Sequence, residues 1–212
     1  MRCNTLQTRY DPNRPHVLVA GEGGVWLAGL QALTANIYVD LVPVRTLPLS
    51  SRVLSAPGLR GVIYISVGTG PCPALAESLV RVWQQTGLPQ AVLCEQLEGL
   101  FSRFHGVEVV PLYASLPDRL ATVNRVMKGA PLSVSPERQV RPLLPVSLLQ
   151  VLRWRHQGMS MVEMAAQWQV SVPTAYARYA RYRLQAGLVT PAEYAAVFGM
   201  AGTLLRLCGV EL

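Results

Sequence analysis

The sequence predicts an α/β domain followed by an all-α domain, and three observations support this. Through the first 128 residues, short apolar runs rich in Val and Ile alternate with segments of helical spacing. A proline-crowded stretch, Gly129 to Pro145, then interrupts the alternation with Pro131, Pro136, Pro142 and Pro145 beside Ser133 and Ser135. Beyond it the apolar period is purely helical. We therefore divide the chain into residues 1–128, a linker at 129–143, and residues 144–212.

Each element follows from its own pattern. His16 to Ala20 reads as a buried strand, followed by Gly21-Glu22-Gly23-Gly24 and a helix over Val25 to Leu33. Ile37 to Val42 is a second strand and Gly61 to Val67 a third, which ends at the turn-rich Gly68 to Pro73. Ala74 to Gln85 places Leu75, Leu79, Val80 and Trp83 on one side of a helix. Gln90 to Cys94 is a fourth strand, Glu95 to Phe104 a helix, Val107 to Tyr113 a fifth strand and Pro117 to Met127 a last helix. Strands alternating with helices imply βα units, hence a doubly wound, parallel, five-stranded sheet of flavodoxin-like type.

After the linker, Val146 to Gln157 forms a helix stopped by Gly158. Ser160 with Glu163 three residues on is a capping box for a short helix through Trp168. Ser171 caps the next helix, whose Pro173 falls in the first turn and which runs to about Gln185 before Gly187. Thr190-Pro191 opens a fourth, Ala192 to Leu207. Its apolar stripe, Tyr194, Val197, Phe198, Ala201, Leu204 and Leu205, suits either a dimer face, which we expect, or packing within the monomer.

Composition excludes several classes. Half the residues are apolar and 15% are charged, which argues against disorder. The longest apolar run, Ala195 to Leu205, falls short of the ~18 to 20 residues a membrane span requires. No signal-type apolar segment precedes Asp11, so we expect a cytoplasmic protein with no membrane partner. Cys3, Cys72, Cys94 and Cys208 are scattered, as are His16, His105 and His156, so reduced thiols are expected and neither a metal site nor a cofactor is implied. The Gly21 to Gly24 loop is a poor nucleotide fingerprint, with Trp26 where a third glycine would stand. No nucleophile, base and orienting group can be assembled, so no enzyme is expected.

The charge of +7 is concentrated. Arg138, Arg141, Arg153, Arg155, Arg178, Arg181 and Arg183 face Glu163 alone between Arg138 and Thr190, and a surface of that kind attracts the phosphates of double-stranded DNA. The two helices joined by Gln169-Val170-Ser171, with small Ala165 and Ala166 between them, form a helix-turn-helix. Its second helix carries Thr174, Tyr176, Ala177, Arg178, Ala180, Arg181 and Arg183, with no carboxylate among them.

Leu144, Val151-Leu152, Gly158, Ser160, Glu163, Ala165, Val170, Ser171 and Thr174 give this region a pattern that resembles the LuxR/FixJ (GerE-type) DNA-binding domain. Leu148, Met164, Ala175 and Arg178 depart from that pattern where Glu, Ile, Val and His are usual. The resemblance implies that Tyr176, Ala177 and Ala180 face base edges and that Thr174, Arg178, Arg181 and Arg183 mostly hold phosphates. It also implies a transcription regulator whose last helix supports dimerisation.

In that class the partner module is a phosphorylatable receiver, and the five βα units resemble one. A receiver needs acids after its first strand, an acceptor Asp after its third and a Lys after its fifth. Here Glu22 is the only acid after the first strand and Ser66 stands at the degenerate phosphoacceptor position. Ala114-Ser115 replaces the Lys, and Lys128 is the only lysine in the chain. We therefore expect a degenerate receiver-like domain that is not switched by aspartyl phosphate. The architecture is similar to that of auxiliary regulators of the RcsA/BglJ type, which implies a homodimer or a heterodimer with another response regulator. The alternative is an interaction adaptor that modulates such a regulator without binding DNA itself.

Overall fold

The protein is described from a computed structural model, which defines residues 11–21, 28–32, 40–44, 47–67, 72–129 and 143–210. Among the described residues there are five strands: β1 (His16–Gly21), β2 (Asp40–Val44), β3 (Leu59–Ser66), β4 (Gln90–Cys94) and β5 (Val107–Pro111). They lie in the order β2-β1-β3-β4-β5 and all pairs are parallel, the order of a doubly wound sheet. The expected strand at 37–42 starts, among the described residues, at Asp40; 37–39 lie outside them, as do Glu22, Gly23, Gly24 and Trp26.

The strands separate their side chains into two layers by the period of two. Val17, Val19, Ile63, Ile65, Ala91 and Leu93 face one core with Leu30, Val123, Val126 and Met127. Leu18, Ala20, Val62, Tyr64, Val92 and Cys94 face the other. Tyr64 is fully buried, and its hydroxyl donates to Gln90 Oε1 at 3.3 Å. Gly21 has φ +146°, and a Cβ there would run into the Ile65 carbonyl, so glycine alone permits the close approach of β1 to β3.

Four helices join the strands or follow them: α1 (Ser51–Leu54), α2 (Pro73–Thr86), α3 (Glu98–Phe101) and α4 (Leu116–Met127); residues 28–32 are helical too. α2 and α4 match the sequence expectation, α2 with Pro73 in its first turn and Gly87 as a left-handed C-cap. The ten-residue helix expected at Glu95 to Phe104 is a correction. Only Glu98–Phe101 is helical, because Leu97 takes a left-handed φ of 71° and Gly99 sits inside the segment.

Five helices follow among the described residues: α5 (Val146–His156), α6 (Met161–Gln167), α7 (Val172–Gln185), α8 (Pro191–Gly199) and α9 (Ala201–Leu207). The expected fourth helical segment is thus broken at Met200, directly after Gly199, into α8 and α9. Its apolar stripe packs inside the monomer rather than forming a free dimer face. Val197, Leu204 and Leu205 are fully buried, and Tyr194 and Phe198 half-buried, in the same cluster as Leu75 and Leu79 of α2 and Leu148 and Leu152 of α5. One side of the sheet therefore shares a continuous core with the C-terminal helices.

Candidate nucleic-acid interface

The helix-turn-helix is set by local chemistry first. Ser160 Oγ accepts from the Glu163 N–H at 3.3 Å while Glu163 Oε2 accepts from the Ser160 N–H at 2.6 Å, which closes the expected capping box. At α7, Ser171 Oγ accepts from the Thr174 N–H at 3.4 Å and shares a 2.8 Å hydrogen bond with Thr174 Oγ1. The turn between them is closed by the Gln169 and Val170 amides donating to Ala166 and Ala165, both at 3.0 Å. Gln169 adopts a left-handed φ of 54° there, a conformation uncommon for glutamine.

Packing then decides which side of α7 faces outward. Ala175 and Tyr179 are buried, Tyr179 against Tyr194 and Phe198 at ring separations of 5.7 and 6.1 Å. Burial pushes the Tyr179 phenol far up, so it stays neutral. Thr174, Tyr176, Ala177 and Arg181 are exposed, which places four of the seven expected residues on one open face. Ala180 is half-buried. Arg178 is half-buried with its guanidinium 5.4 Å from the centre of the Trp168 ring, which itself meets Trp154 and Tyr182 edge-on. Arg183 turns to the other side, 5.2 Å from the Tyr194 ring, with its Nε enclosed. Six residues thus stay together on or beside the outward face, and Arg183 leaves it.

The last turn of α5 carries exposed Arg153 and Arg155, where positive charge complements the helix dipole. Arg138 and Arg141 lie outside the described residues. Glu163, the one carboxylate of the region, is committed to the capping box, and those hydrogen bonds hold its carboxyl below the ordinary value of 4.5. A carboxyl lowered in the folded state contributes stability above its unfolded pKa and loses that contribution as pH falls through the folded value. We therefore expect Glu163→Ala, which removes the titrating partner of this box, to be less stable than wild type at pH 7, with the difference shrinking below pH 4.5; urea unfolding at pH 7 and pH 3.5 checks this.

At the carboxyl end of the sheet, Ser66 is half-buried, pairs with Cys94 in register, and accepts from the Glu95 N–H through its carbonyl at 3.4 Å. Cys94 is buried, and burial first, then Glu98 and Glu193, push its thiol up to about 12, which leaves it protonated. Sequence reasoning missed two groups here, Gly99 and Arg103. The Gly99 N–H donates to Glu193 Oε1 of α8 at 2.7 Å and Arg103 Nη2 donates to the Gln185 carbonyl of α7 at 3.1 Å. Thr190-Pro191 signals the start of a helix, but nothing local reveals that Glu193, which closes a capping box with Thr190, also reaches across the chain.

No family model matches this chain, and neither does any curated protein. Solved structures of similar fold do. A structure of two RcsB dimers bound to two parallel DNAs superposes with a TM-score of 0.60 at 16% identity, over 88% of this chain and 99% of that one. RcsB from Salmonella enterica serovar Typhimurium, bound to promoter P1flhDC in the presence of phosphomimetic BeF3-, gives 0.56 at 16% identity, over 90% and 100%. A two-component response regulator RcsB-DNA complex gives 0.54 at 17% identity, over 89% and 99%. The chain thus shares the fold of these structures, a parallel five-stranded α/β module followed by a helical module that contains a helix-turn-helix.

Proposed function

We propose that this protein is a DNA-binding transcription regulator that works without aspartyl phosphorylation, as a homodimer or as a heterodimer with another response regulator. The observation that carries the reading is the open face of α7. Thr174, Tyr176, Ala177 and Arg181 face solvent there with Arg178 stacked beside them on Trp168, a surface of hydroxyl, methyl and guanidinium groups suited to phosphates and base edges. The structures of similar fold that contain DNA agree with it. We keep the division into residues 1–128, 129–143 and 144–212, with the first part as the receiver-like module. Among the described residues no helix is long and apolar enough to cross a membrane.

The intact protein should bind promoter duplexes in a fluorescence anisotropy titration, alone or with a partner regulator. Binding in neither condition refutes the proposal in favour of the adaptor reading. That second reading has its own support in the exposed apolar groups beside the arginines, Tyr176 at 56% and Leu184 at 58% exposure, which suit a protein partner as well.

For the N-terminal module, Ser66 offers a hydroxyl where an acceptor carboxylate would be needed to hold both a metal ion and a phosphoryl group. Acetyl phosphate with Mg²⁺ is expected to leave the intact mass unchanged. A stoichiometric gain of one phosphoryl group on any aspartate would contradict the degenerate-receiver reading.

A further inference from the structure

Glu193 is nearly inaccessible, with 5% exposure, yet faces no cation within hydrogen-bonding range among the described residues. Its carboxylate is satisfied instead by backbone N–H groups of two different parts of the chain. Oε2 accepts from Val189 and Thr190 at 2.9 and 3.0 Å, which caps α8. Oε1 accepts from Gly99 of α3 at 2.7 Å. Gly99 lies at the start of a four-residue helix, so no turn of its own helix supplies an acceptor for that N–H. The fit is tight from both sides: a Cβ on residue 99 would come within 2.5 Å of both Glu193 Oε1 and the Gly187 carbonyl.

The contact does not stand alone. Arg103, four residues on, donates to the Gln185 carbonyl at the end of α7, and Arg206 of α9 pairs with Glu77 of α2 at 3.3 Å. The α3 segment begins at Leu97, a buried non-glycine residue at φ 71°, the kind of strained backbone that persists only where surrounding structure over-determines it. On its other side Glu98 Oε1 accepts from the Tyr113 hydroxyl at 2.6 Å, tying the segment to the chain just after β5. Through all of this the outward face of α7 stays open.

We infer that Glu193 is a latch that fixes the helix-turn-helix module onto the α3 segment of the N-terminal module, and that the latched state is the one that binds DNA. The inference rests on the DNA-binding reading for its second half only. The latch acts by positioning: it holds the end of the recognition helix through α8 and Arg103, and leaves Thr174, Tyr176, Ala177 and Arg181 uncovered. Docking therefore does not mask the DNA surface. A change in the N-terminal module reaches the helix-turn-helix by moving residues Leu97–Phe101.

Hydrogen exchange on the wild-type chain tests the latch without DNA. The Gly99 amide should be protected, and Glu193→Gln, which can keep the acceptor on one side only, should speed its exchange on the order of fivefold to tenfold. Small-angle scattering adds a second reading. The wild type should have the radius of a single compact body, about 17 Å for this length, and Gly99→Ala should be larger. An unprotected Gly99 amide in the wild type overturns the latch even if a variant fails to fold. Anisotropy with promoter duplex tests the second half: Gly99→Ala should bind no more tightly than wild type, whereas a tenfold gain would mean that docking masks the surface. If neither protein binds duplex while Gly99 is protected, the DNA-binding reading fails and the latch stands.

Discussion

Replacing Arg178 and Arg181 together by alanine is expected to weaken binding to every duplex sequence, on the order of 10- to 100-fold near 0.1 M salt, and to flatten the salt dependence by nearly two units of slope. Each phosphate neutralised releases counterions, so removing two contacts removes two such contributions whatever the bases are. The two arginines are not equivalent. Arg181 is exposed, with its guanidinium 5.8 Å from the Tyr182 ring. Arg178 lies over Trp168, so its orientation is fixed before DNA arrives. Arg178→Lys should therefore lose part of the affinity although charge is kept, because an ammonium does not reproduce a planar guanidinium stacked on indole. Anisotropy titrations at several salt concentrations separate these outcomes. By contrast Arg183→Ala, at a side chain packed on Tyr194, should leave the salt slope nearly unchanged.

The second large effect concerns stability. Leu204 has no exposed surface and belongs to the cluster that joins the C-terminal helices to α2 and one face of the sheet. Leu204→Ala should cost about 2 to 5 kcal/mol, the range for a leucine whose removal leaves a cavity in a packed core. Because the core is continuous, the loss should not be confined to the helical part. Urea unfolding followed by tryptophan fluorescence and by far-ultraviolet circular dichroism should show both signals moving to lower denaturant together. Trp154 and Trp168 lie in the helix-turn-helix and Trp83 in α2 of the N-terminal part, so the fluorescence samples both, and two separate transitions would show that the parts unfold independently.

Much of this architecture was legible because its signals are local. Strands buried on both faces read as continuous Val and Ile runs, and β1, β3 and β4 lie within two residues of where those runs place them. Ser160 with Glu163 announced the start of α6 through a hydrogen-bond exchange that depends on a spacing of three. What was not legible depends on partners far along the chain. The α3 segment has apolar spacing for a longer helix, but Leu97 is held left-handed and Gly99 is pressed against Glu193 and Gly187. The stripe on α8 and α9 looks the same whether it meets a second copy or its own chain, and α2 and α5 cover it here. Arg178 and Arg183 are chemically identical in the sequence. Only the positions of Trp168 and Tyr194 send one beside the open face and the other away from it.

The central claim is that the open face of α7 reads duplex DNA in the cell. Genome-wide mapping of the protein's binding sites, with and without a candidate partner regulator, tests it most directly. The account predicts discrete enriched sites that share a sequence motif and that vanish with the Arg178→Ala, Arg181→Ala double variant present at equal abundance. No enrichment of the wild type in either condition, or enrichment that the double variant retains in full, would contradict it.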